Sequence, residues 1–295
     1  MGLPADPLGI RGACRRVLAE ALEVRLGPLN AAAEALRERP VPRWNDRRHY
    51  SGERLVEYVL ILDTLNFSFW GSPGGYWRLA ESLRDAFDRG DPLWEAARLL
   101  ELDEAGLGAI IGELPLLDRR VAALHELAGL ADREASGELA GLVPPSAPEL
   151  AGLLSRNLES FRDVAAYGEL EVPFLKRAQI AAADLWGSGA VAYPDVDQLT
   201  CFADYKLPQA LRHLGALEYT DHLARKIDDW VELEPGSPEE VEIRAGTVVA
   251  VEELRDRLED SGRPLIAVEV DWLLWDYSQD LFPVRPHHRV RTVFY

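Results

Sequence analysis

Two cysteines, Cys14 and Cys201, one methionine and six histidines are all that the 295 residues hold of the softer metal-binding side chains. The cysteines lie far apart and have no CxxC partner. That argues against a Cys-rich zinc site and a disulfide framework, and two buried free thiols are expected. No stretch nears the roughly 20 uncharged apolar residues that cross a bilayer. The amino terminus lacks the basic and apolar blocks of a signal peptide, so a cytosolic protein with no membrane partner is expected. Basic charge is scarce as well: 32 Lys and Arg stand against 50 Asp and Glu, a formal net charge of −18. A field of that sign repels phosphate chains and argues against a nucleic-acid partner, while a small anion is admissible where a few basic residues converge.

The common motif signatures are missing too. There is no GxGxxG after a strand, no Walker lysine loop, no HExxH and no GxSxG elbow, so no cofactor is expected. His287 and His288 are adjacent but have no carboxylate or Cys at ligand spacing, and they read as a solvated or structural pair rather than a metal site. Asp228-Asp229-Trp230 reads as a surface charge cluster.

What is present is helical periodicity. Apolar residues at spacings of three and four run from Leu8 to Arg39, where Pro40 and Pro42 stop them. A second run, Arg54 to Leu65, leads into Asn66-Phe67-Ser68-Phe69-Trp70 and a Gly-rich turn at 71–75. Between Tyr76 and Leu142 short helices are punctuated by Gly90, Gly106, Gly112 and Pro115. Helices follow at Pro148 to Ala165 and at Pro173 to Trp186, the second with Pro in its first turn. Two short helices meet at Gly215, with Thr220-Asp221 as the next start signal, and Ser237-Pro238-Glu239-Glu240 opens another. A separate helix is expected over Val248 to Leu258, then an apolar run to Tyr277, and the alternating tail 289–295 suggests a short edge strand. The fold class is mainly α, a compact multi-helix domain with at most a few short strands. One domain over 1–295 is expected, with a helical segment over 1–50 packed on it.

Polar residues embedded among aromatic ones mark the C-terminal half. Asp204 lies in Phe202-Ala203-Asp204-Tyr205, where burial is costly unless the carboxyl is hydrogen-bonded or paired. Lys176 and Gln179 share one helical face, and Arg177 and Asp184 another, which by spacing alone fits a snorkelling Lys and a structural ion pair. Asp271 and Asp276 are interleaved with Trp272, Trp275 and Tyr277, which suits either an aromatic core helix or a site for a planar heterocycle.

Six strings in order resolve this ambiguity: Leu65 to Trp70, Phe174 to Ile180 with Asp184-Leu185-Trp186, Phe202 to Gln209 with His213 to Leu217, Glu240 to Arg244, Leu274 to Tyr277, and Phe294-Tyr295. Together they resemble the queuosine salvage proteins, the queuosine 5′-phosphate N-glycosylases, from about residue 55 to the C-terminus. The resemblance implies a helical fold distantly similar to helix-hairpin-helix DNA glycosylases, acting on a small nucleotide rather than on DNA, with no metal and no cofactor. It implies hydrolysis of the N-glycosidic bond. On that expectation Asp204 lies near the ribose C1′, either stabilising the oxocarbenium-like transition state and activating water or attacking to give a covalent glycosyl intermediate, and Lys176 holds Asp204 ionised or meets the 5′-phosphate. Phe67 and Trp275 sandwich the base, with Trp70 also against the substrate. Asn66, Asp271 and Asp276 read the guanine-like edge or the cyclopentenediol. Lys206, Arg177 and His213 serve the phosphate, and at Lys206 the family likeness asks only for positive charge. Glu242 and Arg244 stand behind these contacts as supports. The alternatives are a glycosylase of another nucleotide and a non-catalytic binder of queuine or a related 7-deazapurine.

Overall fold

The apolar periodicities fold as helices, and the computed structural model describes residues 5–295. In chain order the helices are α1 (Ile10–Glu20), α2 (Asn30–Leu36), α3 (Leu55–Thr64), α4 (Gly75–Asp88), α5 (Ala96–Leu100), α6 (Glu104–Ile111) and α7 (Leu117–Ala135). They continue with α8 (Ala147–Asn157), α9 (Lys176–Gly187), α10 (Lys206–His213), α11 (Asp221–Asp228), α12 (Pro238–Asp260) and α13 (Ala267–Gln279). The strands β1 (Val24–Leu26), β2 (Val164–Tyr167), β3 (Leu170–Pro173) and β4 (Leu217–Tyr219) pair antiparallel, β1 with β4 and β2 with β3.

Internal contacts divide the described chain into two compact units. One comprises the described residues up to Pro42 together with 164–176 and 197–291; the other comprises 43–163, 177–196 and 292–295. The chain therefore passes from one unit to the other between Lys176 and Arg177.

In the first unit α12 is the axis, with α1, α10, α13 and β1 packed against it. Its start follows the sequence signal: the Ser237 hydroxyl accepts the Glu240 N–H, and Pro238 occupies the first turn. Sixteen of its 23 residues are buried, so it is covered around its circumference. At Gly246 its backbone comes so close to the β1–β4 pair that a Cβ would lie 3.0 Å from Val24 Cγ1 and 3.1 Å from Leu217 Cδ2. The buried Glu242 carboxylate fastens the same corner. It accepts the amides of Leu22, Glu23 and Val24 at 3.2, 2.7 and 3.2 Å and the Tyr167 hydroxyl at 2.8 Å, so a buried charge is fully hydrogen-bonded.

In the second unit α7 packs on α3, α5 and α6, and α4 packs on α3 and α6. Eight of the ten residues of α3 are buried.

Several sequence expectations need correction. The run from Leu8 to Arg39 is not one helix: Gly27-Pro28 interrupts it, and Val24–Leu26 pairs with Leu217–Tyr219 instead. The helix expected to reach Ala165 ends at Asn157, and Val164–Tyr167 returns as Leu170–Pro173 through a two-residue turn with Gly168 at φ 59°. Pro173 therefore ends β3 rather than opening α9; its ring restricts Val172 to extended backbone. Gly106 lies inside α6, whose N-cap Asp103 accepts the Gly106 amide. The segments before and after Val248 form one helix. The tail forms no strand; Arg289 makes an isolated bridge with Glu232, and the carbonyls of Val293 and Tyr295 are taken by Arg177 and the Ser68 amide. Gly215 at φ 72° and the Thr220 cap are as expected. Both cysteines are buried.

Candidate functional site

The loop 199–205 delivers Asp204 to the N-terminus of α10. Its Oδ1 accepts the N–H groups of Lys206 at 2.7 Å and Leu207 at 3.0 Å, donors that a helix start leaves unsatisfied and that favour negative charge. The carboxyl is only 9% exposed. Burial pushes its pKa up, against the pull of the Lys176 ammonium first and then the two amides.

Lys176 enters from β3 through Leu175, whose φ of 49° places a non-glycine residue in the left-handed region. The Lys176 side chain is buried, not snorkelling. Asp271 of α13 completes the group. Its Oδ1 accepts the Phe202 amide at 2.7 Å, and burial, with the Asp204 charge adding to it, holds its carboxyl well above the usual range despite Phe202 and Lys176. The first unit thus brings together two buried carboxyls and one buried ammonium. Groups whose pKa values are set by burial and by one another are common at functional sites.

The other predicted contacts of this unit are dispersed. Lys206 is half-buried, with Nζ 3.5 Å from Gln209 Oε1. Its charge acts on Asp204 and on His287. Trp275 is half-buried, one turn after Asp271 on α13. Asp276, expected at the substrate, lies on a different side of α13 and pairs with Arg39 at 2.8 Å. His213, expected at the phosphate, is exposed at the C-terminal end of α10, whereas Asp204 holds the N-terminal end. His287 and His288 are structural: the His287 ring packs 4.5 Å from that of Tyr205, and burial lowers the two imidazoles to about 4 and about 3. In Asp228-Asp229, Asp228 is committed to Arg212 at 2.7 Å.

In the second unit the string after α3 is held by two buried arginines. Arg177 donates to the carbonyls of Asp63 (3.0 Å), Ser160 (2.9 Å), Val293 (2.7 Å) and Thr64. Arg120 donates to those of Pro115 (3.1 Å), Leu65 and Phe67. The orphan carbonyls at the C-terminus of α3 thereby meet cations, as the helix dipole favours. Burial lowers both guanidinium pKa values to about 9, which leaves them charged at neutral pH. Phe67 is wholly buried, with the Arg120 and Arg177 Cζ atoms 4.3 and 4.7 Å from its ring centroid. Two expectations change on this geometry: the Arg177 guanidinium is spent on carbonyls rather than presented to a phosphate, and the Phe67 ring is packed between cations rather than presented to a base. Arg177 and Asp184 do not form the expected ion pair in the contacts that hold the guanidinium. Asn66 is buried and donates to Asp63 Oδ1 at 3.1 Å; Trp70 is half-buried.

Arg120 was missed from the sequence. Its signal was its place four residues before Leu124 and seven before Leu127, on the face of α7 that turns inward.

A mainly helical protein thus buries a carboxyl group on helix-end amides beside a buried lysine. The profile of the queuosine salvage protein family matches residues 47–295, and the chain belongs to that family. It is 42% identical to queuosine 5′-phosphate N-glycosylase/hydrolase of Sphaerobacter thermophilus, over 100% of both chains. It is 36% identical to the protein of the same name from Dictyostelium discoideum, over 82% of this chain and 79% of that one. For the Mus musculus protein of that name the identity is 34%, over 82% of each chain. Among the described residues no helix is long and apolar enough to cross a membrane, and no group of three His, Cys, Asp or Glu side chains converges as metal ligands.

Proposed function

We propose that this protein hydrolyses the N-glycosidic bond of queuosine 5′-phosphate and releases queuine for salvage. The observation that carries the reading is the buried Asp204 beside Lys176, in a chain alike along its full length to a protein of that name.

Breaking the bond between C1′ and the base leaves the ribose cationic and the base anionic. Queuine carries carbon at position 7, so protonation there, the usual help for a departing purine, is closed. The sugar side must supply the stabilisation, and a carboxylate held by two amides and an ammonium suits it, because these donors are already oriented when charge develops. Water adds to C1′ as the bond to the base breaks, and its proton balances the departing base; ribose 5-phosphate and queuine result. Burial biases Asp271 toward its neutral form.

We assign the base to the half-buried aromatic surface of Trp275 and the phosphate to Lys206, both in the unit that holds Asp204. A net charge of −18 supports a free nucleotide rather than a nucleic acid as substrate. Purified protein incubated with queuosine 5′-phosphate should release queuine, detected by liquid chromatography and mass spectrometry. Retention of the intact nucleotide on the protein with no base released over many hours would return the binding-protein alternative.

A further inference from the structure

Arg244, on α12, reaches both segments that carry the reacting pair. Its Nε–H donates to the Ala203 carbonyl at 3.0 Å, immediately before Asp204. Its Cζ lies 4.0 Å from the centroid of Phe174, two residues before Lys176. Nη1 stands 3.8 Å from Glu240 Oε1, one turn earlier on α12. Arg244, Glu240, Phe174 and Ala203 are all buried. The guanidinium is therefore fixed to the buried stretch of α12 and touches one segment through a carbonyl and the other through a ring face.

The Lys176 segment needs such a hold. Leu175 at φ 49° is in a conformation that side chains disfavour, and it persists only where surrounding contacts over-determine it. Packing on the ring of Phe174, the residue just before it, supplies one such contact. Only a planar group can lie flat on a ring while directing an N–H in its own plane to a carbonyl; a lysine ammonium gives a point charge without that geometry.

We propose that Arg244 is a positioning residue, clamping the Asp204 loop to the Lys176 segment and so setting the separation of carboxylate and ammonium. This rests on the reading of Asp204 and Lys176 as the reacting pair. The groups facing Asp204 are Lys176 from α9, Lys206 from α10, Asp271 from α13, and Cys201 and Tyr205 on its own loop.

The test is Arg244→Lys, read in two ways. Carbon-13 NMR titration of the Asp204 carboxyl, assigned by loss of its signal in Asp204→Asn, needs no turnover. A slackened clamp draws Asp204 away from Lys176 and the α10 amides, so its midpoint should rise. In the hydrolysis assay kcat should fall, toward ~10²-fold for a displacement of about 1 Å, with KM nearly unchanged. A folded Arg244→Lys whose Asp204 midpoint stays or falls, or whose kcat loss only tracks the folded fraction, overturns the proposal. If Arg244→Lys does not fold, Phe174→Leu, which removes the ring seat and keeps the guanidinium, should move the same midpoint upward, and an unmoved midpoint there overturns it equally. A wild-type protein that releases no base counts against the proposed activity alone, because the Asp204 titration still decides the positioning role.

Discussion

Asp271 accepts the Phe202 amide at 2.7 Å, so α13 holds the loop two residues ahead of Asp204. The same carboxyl feels the Asp204 charge, and burial with that repulsion raises its pKa well above the usual range, which favours its neutral form. Asp271 is thereby biased toward a neutral acceptor that anchors the loop. Like-charged neighbours in a shared site resolve in this way, since both cannot ionise cheaply.

Asp271→Asn should accordingly be mild. The amide oxygen still accepts from Phe202 and the charge does not change, so kcat should stay within about tenfold of wild type, whereas Asp271→Ala leaves a buried N–H unpaired at a cost of ~1–3 kcal/mol. The pH dependence of stability checks the assignment independently. A folded-state pKa above the unfolded value makes a contribution that is fully present below about 3.8 and is lost as pH rises through the raised folded value. Asp271→Asn should remove that decline and hold or raise Tm at pH 7. A Tm drop at pH 7 matching that of Asp271→Ala would show that the carboxyl is ionised.

Asp204→Asn should fold and still bind nucleotide while turnover collapses by at least ~10²-fold, the usual loss when one preorganised electrostatic stabiliser is removed. Steady-state kinetics with a parallel binding measurement decide it; near wild-type turnover rejects the assignment.

Lys176 pulls the Asp204 carboxyl down against burial. Lys176→Met should therefore raise the Asp204 pKa, and because activity needs the carboxylate, the acid limb of the kcat/KM profile should move to higher pH. An acid limb that stays in place, with only KM raised, would give Lys176 to the phosphate instead.

Arg177→Met would leave the carbonyls of Asp63, Thr64, Ser160 and Val293 facing an apolar side chain. Hydrogen bonds from a charged donor contribute ~1.5–3 kcal/mol each, so urea unfolding should show a loss of at least ~3 kcal/mol. KM measured on the folded fraction should hardly change; a large KM increase with intact stability would restore the phosphate role.

Local chemistry was legible in the sequence. The Ser237 and Thr220 caps, the left-handed Gly215 and the helix into Asn66-Phe67 each follow from a few neighbouring residues. The β1–β4 pair was not, because Val24 meets Tyr219 across nearly 200 intervening residues and three-residue strands show no alternation. At the site, an aspartate among aromatic rings announced itself, and its lysine came from the family likeness. His213 and Asp276 lie apart from Asp204 for a physical reason: a short motif spans both ends or several sides of a helix, so nearness in the string does not make nearness in space. The two arginines that close α3 were hidden because their partners are backbone carbonyls, which have no letter in the sequence.

The enclosure of α12 bears on how this chain can vary. Along Val241 to Glu252, where every residue is buried, the helix offers no neutral positions, so an enlarged residue there must be matched by a reduced one on α1, α10 or α13. Libraries that diversify this protein should randomise such contacting pairs together, and single substitutions along α12 should be the most sparsely tolerated in the unit.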